Sequence, residues 1–212
     1  MRAEAAVDIA VFARAPIPGQ AKTRLIPRLG PHGAANLQRQ LTVSALARAS
    51  ALPGARVTLW TTGASGDADA RALAHAAGAT VRTQCGEDLG ARMAQAFSHT
   101  LDGSRPMLLI GTDCPAQTVD DLRAALAALR SADAVVQPAE DGGYVLIGLN
   151  EPRPELFSGI EWGGDRVLAT TRSRAAEHGI RVAELPTCWD LDRSEDLDRA
   201  LALGLVRLSA QP

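Results

Sequence analysis

The sequence feature that most constrains the fold is a run of four apolar residues, 107–110, that ends in Gly111-Thr112-Asp113-Cys114-Pro115. An unbroken apolar run of this length is typical of a strand that is covered on both faces of a sheet. Pro115 stops the strand, and Thr118 is suited to cap a following helix. We therefore expect Asp113 at the carboxyl end of a buried strand, where open α/β sheets bind their ligands. The alternative is an aspartate that only bonds its own turn.

Strand-like and helix-like segments alternate along the whole chain. Strands are predicted at 7–13, 56–62, 80–83, 107–110, 134–138, 144–149 and 181–185. Helices are predicted at 34–52, 67–77, 89–100, 118–130, 165–178 and 194–203. Such alternation favours a mostly parallel sheet with helices on both faces. We expect an α/β fold, a single three-layer α/β/α domain over residues 1–212 that is Rossmann-like.

Composition and charge exclude several classes of function. A net charge of -2 and 3% aromatic residues provide neither the basic surface nor the stacking platforms of a nucleic-acid-binding protein. The apolar run at 9–13 is too short for a membrane span or a signal core. Three widely spaced cysteines, Cys85, Cys114 and Cys188, suggest neither a disulfide framework nor a zinc site. We expect a soluble cytoplasmic protein with reduced thiols, and we interpret Cys114 as a small packing residue.

A long loop that carries several cations, Arg14 among them, follows the first predicted strand. It runs from Arg14 to about Gly30 and contains Lys22 and Arg24, with prolines and Gly19 shaping its path. Loops of this length in compact domains are commonly functional. Cations at the carboxyl edge of a sheet can neutralise phosphate oxygens, although the Walker spacing is absent. The alternative is a solvated basic loop.

A second candidate is the turn Glu140-Asp141-Gly142-Gly143, between two predicted strands. Glycines at 142 and 143 would let backbone amides approach a substrate closely, with Asp141 beside them. A tight hairpin whose glycines supply positive φ explains the same residues without any function. The sequence leaves both interpretations open.

A third candidate is the segment Trp189-Asp190-Leu191-Asp192 near the C-terminus. In an extended segment Asp190 and Asp192 project to one face, since apolar residues alternate with them. Together with Asp113 they would make an oxygen-rich site suited to Mg²⁺ or Mn²⁺. This combination with a cationic loop is more informative than any one carboxylate.

Trp162-Gly163-Gly164-Asp165 precedes a predicted helix. A helix N-terminus can bind an anion, and we keep Trp162 as a substrate-binding candidate. The alternative is that Asp165 caps the helix and occupies its free donors. No two of the four histidines have metal-ligand spacing, so the sequence does not favour histidine chemistry.

This ordered set of motifs resembles the nucleotide-diphospho-sugar transferase superfamily, whose fold is called GT-A-like. Within it, the chain is similar to a bacterial family often labelled as glycosyltransferases and to phospholactate guanylyltransferases. The resemblance covers nearly the whole chain through four motifs, at 12–25, 111–115, 141–149 and 190–192. The turn at Asp113 lacks the Asp-x-Asp pair of many glycosyltransferases, which argues against ordinary sugar-nucleotide glycosyl transfer.

The resemblance implies roles for individual residues. Lys22 and Arg24 would contact a triphosphate, while Asp113 and Asp192 would bind the metal. The expected protein is a Mg²⁺-dependent transferase that uses a nucleotide or nucleotide-sugar and a small-molecule acceptor, favouring nucleotidyl transfer with release of pyrophosphate. Glycosyl transfer and a non-catalytic nucleotide-binding regulatory protein are the alternatives. The base, the acceptor and the oligomeric state stay open.

Overall fold

The computed structural model describes residues 6–62 and 68–208. These residues form a seven-stranded sheet with helices on both faces, which confirms the predicted α/β class. The strands are β1 (Val7–Ala13), β2 (Ala55–Thr61), β3 (Thr80–Thr83), β4 (Met107–Gly111), β5 (Ala134–Pro138), β6 (Tyr144–Leu149) and β7 (Val182–Glu184). The helices are α1 (Ile26–Ser50), α2 (Ala68–Ala76), α3 (Leu89–Thr100), α4 (Val119–Ala128), α5 (Val167–Glu177) and α6 (Ser194–Ala202).

The strand order is β3-β2-β1-β4-β6-β5-β7. Strand β6 runs antiparallel to both of its neighbours, and the remaining pairs are parallel. The chain builds outward from β1 to β3 and then returns to place β4 on the other side of β1. This makes the carboxyl ends of β1 and β4 the topological switch point, where sheets of this kind bind ligands.

The sheet is buried on both faces because its central strands are apolar at every position but one. In β1, Ile9 and Val11 pack under α1, α2 and α4, while Ala10 and Phe12 pack under α3 and α5. The exception is Asp8, whose buried carboxylate accepts two hydrogen bonds from Arg56, at 2.6 and 2.8 Å. Helices therefore cover both faces of the sheet.

Helix α6 extends the core beside the switch point. It packs against α1 and the turn before it, in a buried cluster that includes Leu25, Leu41, Leu191 and Leu197. Burying a leucine contributes about 1.5 to 3 kcal/mol. This cluster holds the segment at 189–192 against the loop that follows β1.

Two predicted helix boundaries are wrong. Helix α1 begins at Ile26 and is kinked at Gly30, where φ is 68°, rather than starting at residue 34. The prolines near this start reduce the helical signal in the sequence, yet the first turn tolerates proline because its N–H groups lack helical partners. Helix α5 begins at Val167, so Asp165 does not cap it. The predicted cap at Thr118 is confirmed, because its hydroxyl accepts from Asp121 N at 3.2 Å.

The predicted start of the second helix, at residue 67, lies outside the described residues. Two short 3₁₀ turns, Thr23–Leu25 and Pro154–Phe157, were not predicted. Among the described helices, none combines the length and apolar character needed to cross a membrane.

Candidate functional site

A cleft of about 370 Å³ opens at the carboxyl ends of β1 and β4. This volume is in the range of small-molecule sites. Predicted site residues that line the cleft are Arg14, Asp113, Asp141, Gly143, Trp162 and Asp190. Five separate segments of the sequence therefore meet at one place, the switch point of the sheet.

Lys22 joins two of these motifs although it is nearly buried. Its ammonium lies 2.9 Å from Asp113 Oδ1 and donates to Leu191 O at 2.5 Å, with only 4% of its side chain exposed. Its backbone is left-handed, with φ 47° and ψ 46°, which is unusual for a residue other than glycine. Strained backbone of this kind is typical of functional sites. Lys22 thus forms the junction between the loop after β1, the end of β4 and the C-terminal segment.

Asp113 lies directly after β4, as predicted. Its carboxylate is half exposed, and its backbone carbonyl accepts from Leu191 N at 2.7 Å. Thr112 Oγ1 lies 3.3 Å from Asp113 Oδ1 and accepts from Gln38 Nε2 at 3.0 Å. Sequence reasoning missed this buried support. A signal existed, since Gln38 is a polar residue on the apolar face of α1.

Arg24 and Asp192 form an ion pair at the outer rim of the site. Their side chains are 65% and 36% exposed. The backbone of Asp192 is fixed separately, because its N–H donates to Asp196 Oδ2 at 3.1 Å in the first turn of α6. Both predicted phosphate-binding cations are therefore paired with predicted metal-binding carboxylates.

Asp190 lies deeper, beside Asp113 and Asp141 in the cleft wall. Burial, together with the negative charges of Asp141, Asp113 and Asp192, raises the pKa of Asp190 to about 6. No cation of the described chain lies within ion-pair distance of its carboxylate. A positive ligand in this part of the cleft would relieve the repulsion.

The carboxylates fit a hard divalent cation that shares its coordination with a substrate. Within residues 6–62 and 68–208, no three His, Cys, Asp or Glu side chains are grouped to hold a metal ion by themselves. Mg²⁺, however, usually takes one or two protein carboxylates and completes its shell with water and phosphate oxygens. Asp113 and Asp190 on one cleft wall provide such a partial donor set.

The turn at 140–143 is held against the segment before α5. A Cβ on Gly142, where φ is 90°, would lie 2.0 Å from Asp165 O, so only glycine fits. The carbonyl of Gly142 accepts from Leu168 N at 2.9 Å. Gly143 N donates to Asp141 Oδ1 at 2.9 Å. Positive φ and close packing therefore account for Gly142, and Gly143 lines the cleft.

Trp162 forms the opposite wall. Its ring meets that of Tyr144 edge to face, with centroids 6.4 Å apart, and its Nε1 is buried with no hydrogen-bond partner among the described residues. A Cβ on Gly90 would lie 2.6 Å from that nitrogen, so the indole packs tightly on the start of α3. Two aromatic rings therefore form this wall, packed against the start of α3.

Two arginines in the cleft wall are left without a carboxylate. In the described part of the chain, no acidic side chain forms an ion pair with Arg14 or Arg92. Arg92 was not predicted, because nothing in the sequence placed α3 beside the cleft. Its Nε donates to Gly86 O at 3.1 Å. The cleft therefore has a cationic side as well as an acidic one.

Two cysteines meet beneath the acidic wall. Cys114 Sγ and Cys188 Sγ lie 2.8 Å apart although 74 positions separate them in the chain. Both are free thiols, and Cys114 is buried as a packing residue would be. The hydrogen bond between the two thiols lowers the pKa of Cys188. Their separation in the sequence gave no sign of this contact.

Residues 45–164 match the model of the DUF2064 family, described as an uncharacterized protein conserved in bacteria. The chain is 32% identical to the phosphoenolpyruvate guanylyltransferase of Chloroflexus aggregans, over 84% of this chain and 83% of that protein.

Solved structures share the fold. A candidate nucleotide-diphospho-sugar transferase from Desulfovibrio desulfuricans G20 is 32% identical, has a TM-score of 0.83, and is matched over 93% of this chain and 87% of its own. The glucosyl-3-phosphoglycerate synthase of Mycobacterium tuberculosis, in complex with Mn²⁺ and UDP, is 12% identical. Its TM-score is 0.55, over 96% of this chain and 78% of its own, which shows the fold alone. This chain belongs to the DUF2064 family, within the nucleotide-diphospho-sugar transferase superfamily.

Proposed function

We propose that this protein is a Mg²⁺-dependent nucleotidyltransferase that joins a nucleoside monophosphate to a small phosphorylated acceptor. The observation that carries the proposal is the junction at Lys22, where one buried cation contacts Asp113 and the backbone beside Asp190 and Asp192. The guanylyltransferase from Chloroflexus aggregans supports the same reaction class, at 32% identity over 84% of this chain.

In the proposed reaction an oxygen of the acceptor phosphate attacks the α-phosphorus of a nucleoside triphosphate. The new P–O bond forms as the bond to the β-phosphate breaks, and pyrophosphate leaves with the electron pair. No side-chain nucleophile is needed. Catalysis then consists of holding both phosphates in line and stabilising the charge that develops on the oxygens.

Each side chain has a part in this arrangement. Lys22 and Arg24 exchange their carboxylate partners for phosphate oxygens when the triphosphate binds. Asp113 and Asp190 would hold Mg²⁺, and Asp192 becomes available to it once Arg24 turns to the phosphate. When bound, the metal supplies positive charge to the reacting phosphate oxygens. Arg14 offers a further cation, and Trp162 an apolar wall for the substrate.

The test is a panel of nucleoside triphosphates, each with Mg²⁺ and phosphoenolpyruvate, the acceptor that the guanylyltransferase is named for. We expect release of pyrophosphate that needs one triphosphate, the metal and the acceptor together. Asp120→Asn, on the exposed surface of α4, is the matched control for Asp113→Asn. The first variant should keep the activity and the second should lose it.

Parallel incubations with nucleotide-sugars separate the alternatives, since the fold is shared with a glucosyltransferase. Release of a nucleoside diphosphate would replace our proposal with glycosyl transfer. Tight nucleotide binding with no product from any nucleoside triphosphate or nucleotide-sugar would favour a regulatory protein instead.

A further inference from the structure

The contact between Cys114 and Cys188 joins the two segments that carry the acidic residues of the cleft. Cys114 directly follows Asp113, and Cys188 lies two residues before Asp190. Cys114 packs in a small apolar cluster with Ala139 and Cys188. Any covalent bond between the two sulfurs would therefore act at the floor of the cleft.

The backbone already holds the two segments side by side. Leu191 N donates to Asp113 O at 2.7 Å, and Cys188 N donates to Pro138 O at 2.9 Å, at the end of β5. The sulfurs face each other at 2.8 Å, closer than two unbonded sulfurs normally approach. A disulfide would need the sulfurs to close from 2.8 Å to about 2.05 Å.

We propose that Cys114 and Cys188 form a reversible disulfide, which makes the cleft sensitive to oxidation. The oxidant is a low-molecular-weight disulfide. The Cys188 sulfur, which is half-buried and so more accessible than Cys114, attacks it and releases one thiol. The Cys114 sulfur then attacks the mixed disulfide at Cys188 and releases the second thiol. Two protein thiols are oxidised and one disulfide is reduced to two thiols, so atoms and electrons balance.

The contact distinguishes the pair from Cys85, which is exposed and has no neighbouring thiol in the described chain.

The bond has a consequence for the site, and this part rests on the proposed function. Lys22 contacts both segments, through Asp113 and Leu191 O. In the proposed function Lys22 exchanges these partners for phosphate oxygens, and the two segments move with them. A disulfide ties the two segments together, so oxidation should weaken nucleotide binding.

The test treats the full-length protein with oxidised glutathione and counts free thiols before and after. Wild type has three cysteines. We expect the thiols at 114 and 188 to be lost as a peptide linking them appears by mass spectrometry, while the exposed Cys85 takes up glutathione. Cys85→Ser, the matched control, should form the same linked peptide. Cys114→Ser should instead keep glutathione on Cys188. Cys188→Ser, which removes the less buried of the two partners, should also give no linked peptide.

Two further readouts complete the test. The melting temperature of wild type should rise by several degrees on oxidation and return with dithiothreitol, since the bond closes a long loop. The affinity for Mg²⁺-GTP should fall at least about threefold on oxidation, because the side chains of such a site must be held within about 0.5 Å of their productive positions. Absence of the linked peptide after treatment would overturn the disulfide. Unchanged affinity of the bridged protein would overturn its effect on the site, and absence of GTP binding in the reduced protein would count only against the proposed function.

Discussion

Lys22 and Arg24 lie two residues apart on one loop, yet their ion pairs have opposite settings. The Lys22 side chain is 4% exposed and is held by both Asp113 and a backbone carbonyl. Arg24 is 65% exposed and pairs with Asp192 at the rim. Buried charges depend strongly on their partners, whereas exposed pairs contribute little to stability. Two cations that look equivalent in the sequence should therefore differ in what they contribute to stability and to nucleotide binding.

The largest effect is expected for Lys22→Met, which keeps the length of the side chain and removes its charge. Asp113 and Leu191 O lose their common partner, so the free energy of unfolding should fall by about 2 kcal/mol. Nucleotide affinity should fall by roughly tenfold to a hundredfold, the value of one or two charge-assisted hydrogen bonds. Urea unfolding and calorimetry measure the two quantities. A variant as stable as wild type would remove the distinction between the two cations.

Asp190→Asn should have an intermediate effect whose sign depends on pH. The pKa of Asp190 is about 6 in the fold, above its ordinary value of 3.8. Protonated Asp190 therefore favours folding below about pH 4, and this contribution is lost as the pH rises through 6. In the ligand-free protein the variant should be more stable than wild type at pH 8, by about 1 kcal/mol after allowing for solvent screening.

The difference between Asp190→Asn and wild type should vanish at pH 4, and melting temperatures across this range measure it. Asp120→Asn, whose carboxylate is 87% exposed, is the control. A constant difference at every pH would show that the charge of Asp190 is not responsible. The same variant should bind Mg²⁺-nucleotide more weakly, so that stability and function change in opposite directions.

Arg24→Met should have the smallest effect. Loss of an exposed ion pair changes the free energy of unfolding by about 0.5 kcal/mol or less. Nucleotide affinity should fall only a few-fold relative to wild type. This difference should become smaller at high salt, because salt screens exposed charges. If Arg24→Met weakened nucleotide binding as much as Lys22→Met, the exposed cation would contribute as much to phosphate binding as the buried one.

Much of the fold was predictable because apolar runs determine where buried strands lie. The end of β4 placed Asp113 at the sheet edge, and alternation with Trp189 and Leu191 singled out Asp190 and Asp192. The start of α1 was not predictable by the same reasoning, since Gly30 and the prolines around it are also typical of loops.

Which side chains contact one another at the site depends on packing between segments that are far apart in the sequence. Nothing local in the sequence pairs Lys22 with Asp113 or brings Cys114 against Cys188. Arg92, which forms no ion pair within the described residues, was also missed, because its place in the cleft depends on how α3 packs on the sheet. Local patterns identified which residues carry charge, and the tertiary structure decided which of them are neutralised.

The central claim is that Asp113 holds a metal ion that a nucleoside triphosphate shares. Calorimetric titration with GTP, with and without Mg²⁺, tests it directly in wild type, Asp113→Asn and the surface control Asp120→Asn. We expect Mg²⁺ to strengthen GTP binding by roughly thirtyfold or more in wild type and the control, and to have no effect in Asp113→Asn. An equal response to Mg²⁺ in Asp113→Asn would contradict the account and leave Asp113 as a residue that only shapes its turn.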